Sequence, residues 1–451
     1  MASKTKRVRA EQTKKNQRLG YWLIAIPVIT FVIKLITMSN TPGGGWLGAD
    51  GENYLGGVDG ILKDGLYSKE RLLGYWPAGY PILIWLMTKI SITNILWVIS
   101  IIQSLFYGYA SYYFTRQLKD TKLNPYLFWI AIILAINPTL SLSSMAVGYE
   151  SPIAACMLMV TGLIVKSQNN PVDRRFWIRV IGVGGFFALA AFMQPRWLLT
   201  TLVVAIVWAL AYENRKQQAL IVIVVMAIMA IAPAALMARN IKAGNGAVIS
   251  TNLGVTMAIG AGDETTGGYK RTGPEVPCEP IPPATTVSDN EKVKCVIKWY
   301  ATNPVKSVEL FINKGLFYWS PWSGPYANGT MARNPWLKID PLLNIARGSQ
   351  QGNDLVYGGF GKLVSWLWIF GSISLFFTGF FWLRSHQGRY SQLAWLTFLP
   401  VVVSWLVGMG TIGDHRFRIP TMSLSLFLQV LGYYALRQRV KTGSFKVSTE
   451  A

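Results

Sequence analysis

Ten apolar runs, at about residues 20–38, 92–115, 125–144, 152–166, 180–194, 197–212, 218–237, 362–383, 391–409 and 419–436, divide this chain. A helix needs roughly 20 such residues to cross the hydrocarbon core of a bilayer, and only helices and closed barrels satisfy their backbone polar groups there. The runs point to an all-α polytopic membrane protein of about ten transmembrane helices. The composition agrees, with 51% hydrophobic and only 14% charged residues, against about 25% charged in soluble domains.

The net charge is +22, from 43 Lys and Arg against 21 Asp and Glu. Such a balance raises nucleic acid as a partner, and its distribution excludes it. The basic residues fall in short clusters between apolar runs, as they do in loops held on the cytoplasmic, anionic side of a membrane. Clusters follow the second run (Arg116, Lys119, Lys122), the fourth (Lys166, Arg174, Arg175, Arg179) and the sixth (Arg215, Lys216). They also follow the eighth (Arg384, Arg389) and the tenth (Arg437, Arg439, Lys441). The start, MASKTKRVRAEQTKKNQR, is basic as well, and the run behind it is too long for a signal-peptide core. Both termini are therefore expected in the cytoplasm. Residues 1–19 read as a basic tail, 20–238 as spans one to seven with an outer loop over 39–91, and 239–358 as a large outer loop. Residues 359–436 read as spans eight to ten, and 437–451 as a cytoplasmic tail.

The segment GYPILIWLMTKI, residues 79–90, is apolar but only 12 residues long. A crossing there would turn Lys119 and Lys122 outward, so it reads as a helix in the outer interface, with Trp85 and Lys89 near the headgroups. A short tilted span is the alternative. The 239–358 segment is too long for a simple connection and reads as a small mixed domain or lid. It contains Cys278 and Cys295, in a compartment that permits disulfides, so a bridge between them is expected; two free thiols are the alternative. Cys156 lies within a span and reads as packing.

This topology gathers ionisable residues at one membrane level. The first loop supplies Asp50, Glu52 and Asp59; the third-to-fourth turn, SMAVGYESP, supplies Glu150; MQPRW supplies Arg196; and GTIGDHRFRIP supplies Asp414, His415, Arg416 and Arg418. Charges at the hydrocarbon edge are costly and tend to pair or to work. Taken singly, Glu52, Asp59 and Asp414 read as solvated. Asp50 and Glu150, beside span ends and among small or apolar neighbours, are the stronger candidates. They are hard ligands compatible with a divalent cation, whereas two histidines without a His/Cys cluster do not indicate zinc. No Gly-rich segment follows a strand and opens a helix, as a nucleotide site requires, and no G-x-S-x-G elbow is present. An outer-face enzyme without a nucleotide site draws an activated substrate from the lipid phase. A polyprenyl-phosphate sugar meets that requirement, its phosphate held by arginine at the interface.

ADGENYLGGVDGILKDGLY followed by GYWPAGYPILIWLMTKI resembles the first external loop of GT-C glycosyltransferases, in the bacterial branch similar to protein O-mannosyltransferases and the lipid A aminoarabinose transferase. The matching residues are Asp50, Tyr54, Gly65-Leu66-Tyr67 and Gly79-Tyr80-Pro81. Glu150 matches the family's acidic residue before span four. STNLGVTMAIGAGDETTGGY, CVIKWYATNPVKSVELFINKG and Arg416-Phe417-Arg418-Ile419-Pro420 resemble its later motifs, in order along most of the chain. Two departures stand out: Gly51 separates Asp50 from Glu52, where the mannosyltransferases have adjacent Asp-Glu, and Leu253 replaces a common glycine. The resemblance implies a multi-pass inner (plasma) membrane enzyme with an extracytoplasmic site. It implies inverting transfer from a polyprenyl-phosphate sugar to a hydroxyl on a glycan, lipid or protein acceptor. Asp50 would be the general base; Glu150, Glu52 and Tyr54 would orient the acceptor or hold a cation; Arg416, Arg418 and Arg196 would bind the donor phosphate. Two rival readings stay open. One is a lipid-linked glycan transporter or flippase, for which Lys34 is the ionisable residue within a span. The other is an outer-face polysaccharide polymerase or ligase.

Overall fold

The computed structural model describes residues 2–40, 47, 50–168, 172–268, 276–278, 287–320 and 359–442. The remaining parts of the large loop expected over 239–358, and of the tail expected over 437–451, lie outside the described residues. Helix α1, Ala2–Ser39, joins the basic tail to the first span without a break. An outer-loop group follows: α2 (Gly51–Asp64), α3 (Arg71–Tyr75) and α4 (Gly79–Thr88). Next come α5 (Ile95–Gln117), α6 (Leu127–Ile136), α7 (Pro138–Leu142), α8 (Glu150–Gln168), α9 (Arg174–Met193), α10 (Trp197–Ala209) and α11 (Arg215–Lys242). The large loop contributes α12 (Leu253–Ile259), α13 (Asp289–Thr302) and α14 (Pro304–Trp319), and the chain closes with α15 (Gly359–Ser385), α16 (Arg389–Gly410) and α17 (Ile419–Thr442).

Among the described residues, eight helices are long and apolar enough to cross a membrane. The other two expected spans take different forms. The run 125–144 is broken, with a 60° bend between Asn124–Ile136 and Thr139–Met145. Pro138 has no N–H to continue the helix, and Asn137 leaves the helical region and caps the second piece, its side chain accepting from Leu140 N at 3.0 Å. The run 197–212 becomes α10, which at 13 residues rises about 20 Å, short of the roughly 30 Å hydrocarbon core. Helix α4 has ten residues and rises about 15 Å, with Lys89 lying over the Trp85 ring at 4.9 Å. The large loop was expected to be mixed; its described residues form helices joined by turns and irregular segments, with one isolated bridge, Gly268 to Gly413.

Helix α8 is the axis of the bundle, with nearly all of its residues buried. The outer-loop group is locked by α2, whose buried Gly51, Tyr54, Gly57, Val58 and Ile61 repeat at helical spacing. Its glycines permit close approach: a Cβ at Gly60 would lie 2.6 Å from Glu70 Cβ. A second lock is Arg239, near the end of α11. Its guanidinium donates to the carbonyls of Leu66 and Leu73, each at 3.1 Å, and to that of Ser68. The Gly-Leu-Tyr turn after α2, opened by Gly65 at φ 82°, is thereby tied to a span.

Candidate active site

Four turns at one end of the bundle meet around Arg416. The side chain comes from a short 3-10 turn, His415–Arg418, whose entry is fixed by Asp414 accepting from Arg416 N at 2.9 Å. Arg416 Nη1 donates to Asp50 Oδ2 at 2.6 Å, and its Nε donates to Glu150 Oε1. Asp50 and Glu150 each begin a helix, α2 and α8, so both carboxylates stand at helix N-termini, which favour negative charge. The Asp50, Glu150 and Arg416 side chains are 8%, 4% and 10% exposed. Burying two carboxylates this deeply is costly unless they are paired, and the guanidinium pairs with both.

Three tyrosines wall the arrangement. Tyr54, Tyr80 and Tyr149 pack edge to face, with centroids 5.0 to 6.2 Å apart. Tyr80 Oη accepts from Gly148 N at 2.8 Å and from Gln103 Nε2 at 3.1 Å, holding the turn that leads into Glu150. Burial pushes the Tyr54 phenol well above its ordinary value, with the charges of Tyr149 and Asp50 adding to the shift.

A cavity of about 950 Å³ opens beside this group, lined by Asp50, Tyr149, Gln194, Arg196, Asp414 and Arg416, and on the loop side by Asn252, Leu253, Asp289 and Asn290. Arg196, at the start of α10, lies over the rings of Trp197 and Phe417 at 5.1 and 4.8 Å. Its Nε and Nη2 are buried and have no hydrogen-bond partner among the described residues. Burial lowers its guanidinium from the ordinary range. Burial likewise raises the Asp414 carboxyl to about 6.

The residues singled out from sequence thus divide. Asp50, Tyr54, Glu150, Arg196 and Arg416 come together; Glu52 and Asp59 face outward. Arg418 is buried away from the cavity lining, donating to Trp319 O at 3.3 Å and lying over its ring. Arg416, expected on a phosphate, is engaged by two carboxylates instead. The space between Asp50 and Glu150, considered for a divalent cation, is occupied by the guanidinium; among the described residues no group of three or more His, Cys, Asp or Glu is placed to hold a metal. The departure at Gly51 has a packing reason, since a Cβ there would lie 3.3 Å from Val147 Cβ. Leu253, the other departure, is half exposed, while at Gly254 a Cβ would meet Asp289 O at 2.4 Å.

The loop that borders the cavity is stitched to the Arg416 turn through Lys314 of α14. Its ammonium donates to Tyr300 Oη at 2.6 Å and to Thr411 O at 2.7 Å, and burial lowers it to about 7. Gly413 N donates to Gly267 O at 2.8 Å, and a Cβ at Gly260 would strike Thr411 O at 2.3 Å. Cys278 and Cys295 are bridged and fix residues 276–278 against α13. Tyr149, Gln194 and Asp414 were not read from sequence as parts of a site. The first two carry no motif, and Asp414 reads alone as a solvated loop charge.

No family model and no curated protein sequence matches the chain. Among solved structures, it is similar to the archaeal oligosaccharyltransferase AglB from Archaeoglobus fulgidus in complex with an inhibitory peptide and a dolichol-phosphate. The identity is 13% and the TM-score 0.46, over 96% of this chain and 53% of that one. It is similar also to the Archaeoglobus fulgidus oligosaccharyltransferase in the apo form, at 13% identity and TM-score 0.48, over 95% and 53%. A third similar structure is that oligosaccharyltransferase tethered to an acceptor peptide, at 13% identity and TM-score 0.46, over 96% and 52%. The chain spans about half the length of the solved structures it matches.

Proposed function

We propose that the protein is a GT-C glycosyltransferase that moves a sugar from a polyprenyl-phosphate donor to an acceptor hydroxyl, on the extracytoplasmic face of an inner (plasma) membrane. The observation that carries this reading is the cavity: the Asp50 carboxylate paired with Arg416 on one wall, and on another Arg196, whose buried Nε and Nη2 have no hydrogen-bond partner among the described residues. Asp50 uses one oxygen on Arg416, which leaves the other to accept a proton. The acceptor O–H gives its proton to Asp50 as its oxygen bonds to the sugar C1, and the bond from C1 to the phosphate oxygen breaks with inversion. The oxocarbenium-like transition state is met by the carboxylate, and the departing polyprenyl phosphate takes the electron pair and meets Arg196. Glu150 acts through Arg416, keeping Asp50 in place. Lys34, the residue on which a transporter reading leans, is buried on Ser144 Oγ at 2.8 Å and lies outside the cavity lining.

The test uses the purified full chain with a radiolabelled polyprenyl-phosphate sugar and a panel of glycan, lipid and peptide acceptors. The expected result is sugar transfer with one polyprenyl phosphate released per sugar. Asp50→Asn should lower the rate by about 10²- to 10⁴-fold, the range for loss of a general base, with the fold retained. Movement of intact donor across vesicles without bond cleavage would favour the transporter, and undiminished transfer by Asp50→Asn would remove Asp50 as the base.

A further inference from the structure

The cavity beside Asp50 carries a second set of polar groups that the transfer chemistry leaves unused. Asn53 follows Asp50 by about one turn on α2, and both line the cavity. Asn53 is half-buried, and its amide is held by none of the described residues. On the loop side, Thr251 N donates to Gly74 O at 3.1 Å, which brings Asn252 up to the Trp76 end of α3. Gly254 N donates to Asp289 Oδ1 at 2.7 Å, which brings the start of α13 to the same rim. Asn252 Oδ1 accepts from Ser250 Oγ at 3.2 Å, so its two N–H groups are left to donate. It precedes α12 without capping it. Asp289 keeps its second oxygen to accept. Trp76, Asn252 and Asp289 all line the cavity, and the Trp76 ring packs edge to face with Tyr54 and Tyr75 at 6.2 and 5.2 Å.

We propose that this rim is an acceptor subsite for carbohydrate: a sugar ring lies against Trp76, its adjacent hydroxyls are read by Asn252 and Asp289, and the hydroxyl beside the reacting one is read by Asn53. A sugar differs from other hydroxyl acceptors in carrying several neighbouring O–H groups, each a donor and an acceptor at once, on a ring with an apolar C–H face. The rim offers the complement: amide donors, amide and carboxylate acceptors, and one aromatic surface. A lipid acceptor with a single hydroxyl would leave those groups unmet, and polar groups built to bind a hydroxyl discriminate strongly against a ligand that lacks it. An extended peptide is held by pairing with a strand edge, whereas the described residues of the lining form helices, turns and irregular segments. At about 950 Å³ the cavity stands at the upper end of the roughly 300–1,000 Å³ of whole-ligand pockets, room for a donor sugar and an acceptor sugar together. The inference rests on the proposed transfer reaction, whose acceptor it names.

The experiment uses the full chain in detergent micelles. Saturation-transfer NMR is recorded with a panel of hexose oligosaccharides and with a serine-containing peptide, and acceptor and donor KM are measured in the radiolabelled transfer assay. At least one oligosaccharide should bind and accept sugar, and the peptide should do neither. Trp76→Ala should weaken oligosaccharide binding and raise the acceptor KM by roughly tenfold or more, as loss of an aromatic anchor does. Asn53→Ala and Asn252→Ala should each do so by about 2- to 10-fold, the range for one neutral hydrogen bond. The donor KM should not move in any of the three. If Trp76→Ala does not fold, Asn252→Ala decides, because its side chain caps no helix and its loss should leave the unfolding midpoint in place. Binding of the peptide and of no oligosaccharide, or undiminished oligosaccharide binding by Asn252→Ala, would overturn the subsite. Oligosaccharide bound with these dependences, while no acceptor of any class receives sugar, would overturn the transfer reading instead and leave the carbohydrate subsite standing.

Discussion

Arg416 binds two carboxylates through different nitrogens of one planar group, a task lysine's point charge performs poorly. Arg416→Ala would leave Asp50 and Glu150 buried, unpaired and mutually repulsive. The expected cost is about 3–5 kcal/mol of stability, the range for breaking a buried pair, visible as a lower unfolding midpoint together with loss of transfer. Arg416→Lys should recover part of the midpoint and little of the activity. A variant as stable as wild type would show that the pairing does not support the fold. Asp414, in the link between the last two spans, titrates in a way that can be checked separately. Burial raises it to about 6, against roughly 3.9 for a free Asp. Between those values the folded chain holds a proton that the unfolded chain has released, so this group makes stability fall as pH rises from about 4 to about 6, and adds no slope above that. Asp414→Asn keeps an acceptor oxygen for Arg416 N–H and should flatten that stretch of the profile in unfolding scans. At this scale the sequence marked Asp50 and Glu150 through their places beside span ends, and Arg196 and Arg416 through the family resemblance. It did not reveal that Arg416 is held by the two carboxylates, because 366 residues separate it from Asp50 and no local pattern encodes the pairing.

Helices in this bundle approach as closely as their glycines allow. A Cβ on Gly379 of α15 would lie 1.9 Å from Leu428 O, and one on Gly432 of α17 would lie 2.1 Å from Leu375 O. Small residues permit such backbone contact, which is a main source of helix association in lipid. Gly432→Val should therefore destabilise by roughly 1–3 kcal/mol or more and reduce the monodisperse fraction after purification. Gly371→Val, on α15 with nothing within 4 Å of the added Cβ, is the matched control and should leave both unchanged. Equal behaviour of the two variants would remove the close-packing argument. Most spans were legible from apolar length alone, since length is what the bilayer selects. The broken run at Pro138 and the shortness of α10 were not, because apolar content does not report where Asn137 ends one helix or where Ala209 ends another. Gly260 and Gly267 of the long loop were excluded from sequence as part of a nucleotide site, without a structural role in its place. Their reason is Lys314 and Thr411, two side-by-side neighbours distant in sequence.

The whole molecule has two chemically distinct ends. Gln194, Met237 and Thr411 line the large cavity, so the helices that end there have their basic starts, at Arg174, Arg215 and Arg389, at the other end. The proposed sidedness follows from that polarity and can be read by labelling. Asp263→Cys should react with a membrane-impermeant maleimide in intact cells, and Lys216→Cys only after permeabilisation; native Cys156 is buried and the other two cysteines are bridged. Labelling of Lys216→Cys from outside would invert the topology. The ion pair between Asp50 and Arg416 also sets a clock. Asp50 emerges early in synthesis and its partner 366 residues later, about 20 to 70 s at the usual rates of elongation. Throughout that interval the first-loop carboxylate lacks Arg416, so a nascent chain interrupted before its last membrane segment carries a site that has never been assembled.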